Sequence, residues 1–521
     1  MDEVMEKGVS ANRVVLSVLT VLILIPLVFI AADSVLMTAG IPDPPTEATA
    51  FTADMPWVHL VSSAAVIFLL ILFQKRLRNL PEKYLLIVGM ILVFIVGLAW
   101  VFKMRVEAGA DQLLVLEGAS QFMQGNYEWF VRGGYFYVYP HQLGLAAYFQ
   151  LFIAFAGQNA YLWIQAANVL WLMLGFYCLY KITALLFGKR EITNVALVLL
   201  LFCFEILLYV VFVYGNLPAF GLGLLAVLLT LRYFKERKAC YAVWSAVVIT
   251  ASILLRNNNL VWLVAMVIFY LLDAAFEKKK WSFAFAALLI GANLLGGFAV
   301  GFCYAQATGI PAAEGVPKTA WVAMGLQEGP MAPGWYNGYS NNLYQSMDYD
   351  GEKTAVQAKE NIRECVANFA EHPGYAARFF YQKISSTWNN PTFQGFWISQ
   401  VRDSQIEQDK LSNSIYNGGA NLLLQGFMNL YQSVIYIGSA LFFLFHFKKI
   451  RREQLLPGVI FLGTFLFHVF WETKAQYVAT CFPLLIPYAA CGWTGLSGRI
   501  KAWIDGKRKN KIHPVIPQEI P

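Results

Sequence analysis

Apolar residues in this chain fall into long runs separated by short basic turns. The runs cover about residues 13–31, 58–74, 84–102, 160–180, 193–213, 216–232, 240–254, 260–276, 281–303, 431–447, 455–471 and 476–497. A helix rises about 1.5 Å per residue and the hydrocarbon core of a bilayer is about 30 Å thick, so each run reads as a membrane span, the shorter ones completed by flanking residues. The pattern predicts an all-α polytopic membrane protein of about 12 transmembrane helices.

The turns carry the topology. Lys75, Arg76, Arg78 and Lys83 follow the second run; Lys181, Lys189 and Arg190 the fourth; Lys235, Arg237 and Lys238 the sixth; Lys278, Lys279 and Lys280 the eighth; Lys448, Lys449, Arg451 and Arg452 the tenth. The tail adds Arg499, Lys501, Lys507, Arg508, Lys509 and Lys511. All of them share one side if both termini are cytoplasmic, as the positive-inside tendency requires. Residues 142–156 (QLGLAAYFQLFIAFA) are apolar but short, and a crossing there would put Lys189 and Arg190 outside. They are predicted as a re-entrant or interfacial helix on the outer face.

This topology gives the outer face the loop 32–57, the stretch 103–159, the short turn Arg256-Asn257-Asn258-Asn259 and a long loop of about 304–430. A loop of that length is uncommon and usually functional. It holds TAWVAMGL (319–326), PGWYNGY (333–339) and STWNNPTF (386–393). Within it, Phe379, Phe380, Ile384 and Trp388 share a face of a helix over 374–388, predicted to lie flat on the membrane surface. The chain divides into an N-terminal two-span hairpin (1–83), a membrane core with its outer loop (84–303), an extracytoplasmic loop (304–430) and C-terminal spans with a basic tail (431–521).

Composition agrees. Of 521 residues, 58% are hydrophobic and 14% charged, against about one quarter charged in soluble proteins. The net charge of +7 sits in the turn clusters, so it reads as topology rather than nucleic-acid binding. The seven cysteines include no CxxC pair, and the six histidines show no close ligand spacing, so no metal site is expected from His, although a divalent metal is not excluded. The run 13–32 is too long for a signal peptide and lacks a small-residue cleavage site, which favours a retained span. The continuous chain and basic tail point to a bacterial plasma membrane. No Walker loop, dinucleotide fingerprint, HExxH or GxSxG pattern occurs in a fitting context.

Chemistry concentrates on the outer pieces. Glu107 and Asp111 lie just beyond the third run, with Gln112 next and Glu117 six residues on; Tyr139-Pro140-His141-Gln142 close the stretch. A carboxylate outside a membrane, beside aromatic and amide side chains, can take a proton from a sugar or lipid hydroxyl, but it can equally be a solvated helix cap. Arg256, beside Asn257, sits where the positive-inside tendency disfavours it. A guanidinium there suits a phosphate, or is simply solvated. Trp471-Glu472-Thr473-Lys474-Ala475-Gln476-Tyr477 places another cation outside, which reads equally as a snorkelling lysine paired with Glu472. VYGNLPAF (213–220) is a tight turn or a site lining, and Glu205 is the one clear mid-span charge.

The layout resembles membrane-embedded glycosyltransferases of the GT-C class, especially bacterial relatives of the protein O-mannosyltransferases (glycosyltransferase family 39). The matching pieces are Asp111, GYFYVYPHQLG (134–144), VYGNLP (213–218), LLRNNNLVWLVA (254–265), the WVAMGL and GWYNGY segments, and WETKAQYVATCFPLLIPYAACG (471–492), which together cover most of 84–492. The resemblance implies an inverting sugar transfer from a polyprenyl-phosphate donor to an extracytoplasmic hydroxyl acceptor, without a cofactor. It carries the general base over to Asp111, carrier-phosphate binding to Arg256 and Lys474, and a lining role to Tyr477. Substrate contacts are expected from Tyr139, His141, Gln142 and Asn257. Two departures stand out: Gln112 replaces an acidic residue that many relatives have after the aspartate, leaving Glu107 or Glu117 as substitutes, and the loop follows the third span rather than the first. Rival readings are a polysaccharide polymerase or ligase using a lipid-pyrophosphate donor, and a flippase or transporter, which predicts broken helices and mid-membrane charges.

Overall fold

The computed structural model describes residues 2–42, 46–399 and 410–512, with side chains described from 12 to 505. The described residues are mostly helical, with one β-hairpin. Helix α1 (Asp2–Leu36) leads into the two strands β1 (Met37–Gly40) and β2 (Ala50–Ala53), which pair antiparallel, Met37 opposite Ala53. Then come α2 (Pro56–Asn79), α3 (Glu82–Met104), the short α4 (Asp111–Met123), α5 (Tyr135–Val138) and α6 (Leu143–Ala156). Next are α7 (Ala160–Phe187), α8 (Arg190–Leu201), α9 (Phe204–Leu207), α10 (Asn216–Glu236), α11 (Ala239–Leu255), α12 (Leu260–Phe276) and α13 (Lys280–Thr308). The long loop is itself mostly helical: α14 (Lys318–Gly325), α15 (Tyr339–Ser346), α16 (Gly351–Glu371), α17 (Pro373–Trp388), α18 (Gly395–Ile398) and α19 (Lys410–Asn417). The last three helices are α20 (Gly419–His446), α21 (Arg452–Phe470) and α22 (Ile486–Ile512).

Among the described residues nine helices are long and apolar enough to cross a membrane, ten if the bent α8–α9 pair is one span. This is an all-α polytopic protein. α11 and α22 also lie along the bundle, α11 against α10 and α13, α22 against α20. The run 193–213 is not one rod. It breaks at Phe202-Cys203 and bends by 49°. No proline or glycine marks the break; the end of α8 tightens into i→i+3 bonds, Phe202 N–H to Leu199 and Cys203 N–H to Leu200.

The basic turns gather at one end of the bundle. Arg78 reaches Glu191 at 3.5 Å, and Asn194 donates to the carbonyls of Leu77 and Leu80. Gln454 and Arg451 donate to Leu186 O, and Lys501 to Gln74. Fully buried Asp273 holds Arg237 at 2.6 Å and Arg452 at 2.8 Å. The other turns collect at the opposite end, where the segments before and after α6 both bond to groups around Asp111: Gln142 to Tyr214, and Tyr161 to Gln112. So α6, 14 residues and about 21 Å long, begins and finishes at that end. Gly157, at φ +54, closes the helix and starts the return.

Three expectations change. First, α1 and α2 do not form a hairpin of their own. α1 packs on α20 and α21, with Ile23, Leu27 and Ile30 fully buried, while α2 packs on α22 and α8. Second, α17 is not confined to a surface. Its C-terminal half enters the protein, where Lys383, Ser385, Ser386, Thr387 and Trp388 are buried and Trp388 stacks edge-on against Phe461. Three of its polar residues are satisfied internally: Tyr381 donates to Asp33 at 2.7 Å, Ser386 and Thr387 to Lys383 O. Third, α20 starts at Gly419, well before the apolar run that announces it.

Candidate functional site

Asp111 is the first residue of α4, and its side chain is exposed. The preceding turn is unusual: Arg105 (φ 44) and Ala110 (φ 49) both adopt positive φ although neither is glycine, a cost of order 1–3 kcal/mol each. Gln165 donates to Val106 O and anchors that turn. Gln112 does the aligning. Its buried side-chain carbonyl accepts Tyr161 OH at 2.7 Å and Val213 N–H at 2.9 Å. This fixes the start of α4 against the Val213-Tyr214-Gly215 turn. Beside Asp111 the chain thus carries a neutral acceptor satisfied twice over.

Tyr214 is thereby brought to Asp111. Its hydroxyl donates to Asp111 Oδ2 at 3.1 Å and accepts from Gln142 Nε2 at 2.7 Å. Burial, with the nearby Asp111 charge, raises the Tyr214 phenol well above its ordinary range, so it stays a protonated donor. Gly215 makes the approach possible. It has φ +77, and a Cβ there would stand 2.1 Å from Leu255 O, at the end of α11.

The next residue along the chain, Arg256, is the site's cation. Arg256 leaves the helix in extended geometry, and the turn behind it is braced by Asn259, which donates to Ala219 O and Ser252 Oγ. Its guanidinium carbon lies 4.6 Å from the centre of the Tyr214 ring and 5.5 Å from that of Tyr477. Among the described residues no carboxylate pairs with it and no carbonyl accepts from it. A half-buried guanidinium, seated between two rings with its donor fork unused among the described residues, has the chemistry to take an anion.

The 471–477 turn forms the third wall. Tyr477 OH donates to Glu472 at 2.9 Å. Burial pushes the Glu472 carboxyl up to about 7, opposed by Lys474, by the Tyr477 bond, and by Lys383 and Arg256. Lys383, reaching in from α17, donates to the carbonyls of Gly325 and Trp471, and burial pulls its ammonium down to about 7. It thereby clamps the WVAMGL segment to this turn, and the Trp335–Thr473 bridge repeats the tie. Lys474 does not pair with Glu472. Its ammonium bonds Glu47, which comes from the connection between β1 and β2. Glu47 also accepts Gln394 Nε2 at 3.2 Å, and Gln394 accepts Gln476 N–H at 3.1 Å. Tyr336, beside Tyr139, lies 5.7 Å from the Lys474 ammonium, between this group and the Asp111 end.

Of the anticipated residues, the structure brings together Asp111, Tyr139, Gln142, Arg256, Lys474 and Tyr477, with His141 in contact with both Gln142 and Tyr139. Glu107, Glu117 and Asn257 are exposed, and among the described residues their side chains make no hydrogen bond or ion pair with this group. Tyr214 and Glu472 stood in recognised motifs without an assigned role. Glu47, Gln394 and Tyr336 were missed; Glu47 is 427 residues from its partner, and nothing local marks it. Among the described residues no three His, Cys, Asp or Glu side chains group as metal ligands. None of the family models, curated proteins or solved structures compared with the chain matches it.

Proposed function

We propose that this chain is an integral membrane glycosyltransferase of about 12 spans that moves a sugar from a polyprenyl-phosphate donor to a hydroxyl acceptor on the outer face of the membrane. The observation that carries the reading is the unpaired Arg256 guanidinium on the same tyrosine that bonds Asp111. Sidedness is inferred from the basic turns, all at the opposite end of the bundle from this site; the positive-inside tendency makes that end cytoplasmic.

In this mechanism Asp111 takes the proton of the acceptor hydroxyl as its oxygen attacks the anomeric carbon. The bond from that carbon to the phosphate oxygen breaks, and the carrier phosphate departs with the electron pair. Arg256 absorbs the charge it gains. One displacement inverts the anomeric centre. Tyr214, neutral and bonded to Asp111, fixes the carboxylate relative to the cation. Because Glu47 neutralises Lys474 and Lys383 spends its donors on two backbone carbonyls, Arg256 is the cation left with its donors unused among the described residues of the site. That favours one phosphate over the pyrophosphate of a polymerase donor.

The test is transfer from radiolabelled polyprenyl-phosphate hexose in membranes expressing wild type, Asp111→Asn and Arg256→Ala. Donor consumption by wild type, lost in Asp111→Asn at equal expression, supports the reading. Equal activity in Asp111→Asn removes Asp111 as base. Consumption of a lipid-pyrophosphate sugar instead points to a polymerase.

A carrier reading draws on one observation, the break at Phe202-Cys203 with Glu205 buried beside it. It predicts movement of a lipid-linked sugar across sealed vesicles without transfer, abolished by Glu205→Gln.

A further inference from the structure

We propose that the Glu47–Lys474 ion pair is a sugar-recognition subsite, gripping ring hydroxyls of the transferred sugar and setting which sugar is accepted. The inference deepens the transfer reading and rests on it.

The pair is buried, Glu47 at 6% and Lys474 at 8% exposure. A buried ion pair is weak evidence for stability, because desolvation offsets most of the Coulomb gain. This one is also incompletely used. An ammonium has three donors, and among the described residues Lys474 gives one to Glu47. Each Glu47 oxygen accepts one bond, from Gln394 or from Lys474, and each keeps capacity for another. In the same cluster the side-chain oxygen of Gln476 is buried without a hydrogen-bond partner. Spare donors beside spare acceptors match a pair of neighbouring sugar hydroxyls, each of which donates and accepts.

Two rings complete the match. Trp397 lies 5.8 Å and Tyr336 5.7 Å from the ammonium, and both are half-buried, leaving ring surface open for the C–H face of a pyranose. The backbone is bent to hold the cluster. Phe393 and Gln394 both have positive φ, and Asn390 Oδ1 secures them by accepting the Thr392 and Gln394 N–H groups. Tyr336 stands beside Tyr139, toward the Asp111 end, leaving Arg256 for the phosphate.

The experiment uses the full chain in lipid nanodiscs and a panel of polyprenyl-phosphate donors carrying mannose, glucose, galactose or N-acetylglucosamine, with sugar-free polyprenyl phosphate as reference. Binding and transfer are measured for wild type, Glu47→Gln, Lys474→Met and the exchanged pair Glu47→Lys with Lys474→Glu. The subsite predicts that Glu47→Gln and Lys474→Met cut the preference of the best sugar over the next by about tenfold, the worth of one charged hydrogen bond. Affinity for the sugar-free carrier stays within about twofold, and the exchanged pair recovers thermal stability without recovering preference. A purely structural pair gives the reverse: every donor weakened equally, or wild-type preference restored by the exchange. Glu47-dependent binding preference without turnover overturns the transfer reading and leaves the subsite standing. A wild type that binds the four glycosylated donors no differently from the bare carrier overturns the subsite.

Discussion

Asp111 and Arg256 are joined through one tyrosine. The Tyr214 hydroxyl donates to the Asp111 carboxylate at 3.1 Å, and the Arg256 guanidinium lies 4.6 Å from the centre of the same ring. The two residues are far apart in sequence and belong to different helix ends. Gln112 holds one of those ends and Gly215 admits the other. The proposed base and the proposed phosphate ligand therefore cannot move independently of Tyr214.

Tyr214→Phe separates the two roles of the ring. It keeps the seat for Arg256 and deletes the bond to Asp111. A hydrogen bond to a charged group is worth about 1.5–3 kcal/mol, so turnover is expected to fall about 10- to 100-fold with donor KM little changed. Tyr214→Ala removes both roles and raises donor KM as well. Initial rates of labelled sugar transfer check this; a Tyr214→Phe enzyme at full turnover would make the bond incidental.

For Arg256 the informative comparison is with lysine. A phosphate held by a planar fork loses one of two parallel bonds when an ammonium replaces it. Arg256→Lys is expected to raise donor KM about tenfold, and Arg256→Ala about 100-fold. Titration with sugar-free polyprenyl phosphate reads the same loss without chemistry. Equal binding by all three proteins would move the phosphate site elsewhere.

Gly215 is a sharper structural test. Alanine there must adopt φ +77 and place a methyl 2.1 Å from Leu255 O. Gly215→Ala is expected to destabilise by more than about 2 kcal/mol and to displace Arg256, seen as a lowered unfolding temperature together with lost carrier binding. Gly309, also at positive φ but with nothing within 4 Å, is the control; Gly309→Ala carries the backbone strain alone.

The proposed topology makes its own forecast. Asn257→Cys and Glu117→Cys, both at exposed positions of the site end, are expected to react with a membrane-impermeant maleimide on intact cells. Lys279→Cys, in an exposed basic turn, reacts only after permeabilisation. The opposite pattern would turn the protein over in the membrane.

What could be read from the sequence was local. The turns VYGN, RNNN and WETKAQY sit between apolar runs, and the length of 142–156, with the sidedness of Lys189 and Arg190, argued against a crossing. What could not be read was long-range or hidden by polarity. Glu47 stands in a proline-flanked loop with nothing to announce Lys474. Ser386 and Thr387 look like a solvent face, yet are buried, because hydrogen bonds within the protein replace water and leave no trace in an apolar pattern. The break at Phe202-Cys203 is equally silent: the run stays apolar through it.

Glu472 and Lys383 give the protein a pH dependence of calculable sign. The Glu472 carboxyl rises from 4.5 to about 7 on folding. Between those values the folded chain holds a proton that the unfolded chain has released, so stability falls as pH rises through the window and is flat above it. The Lys383 ammonium drops from 10.5 to about 7. There the unfolded chain holds the extra proton, so stability rises with pH from about 7 upward. Glu472→Gln is expected to flatten the acid-side slope, and Lys383→Met the alkaline one, the latter at a lower overall unfolding temperature because two carbonyls lose their donor. Thermal unfolding in nanodiscs at half-unit steps from pH 5 to 9 checks both. Parallel wild-type and Glu472→Gln curves below pH 7 would mean that the carboxylate is ionised in the fold throughout, held so by Lys474, Lys383 and Arg256 despite its burial.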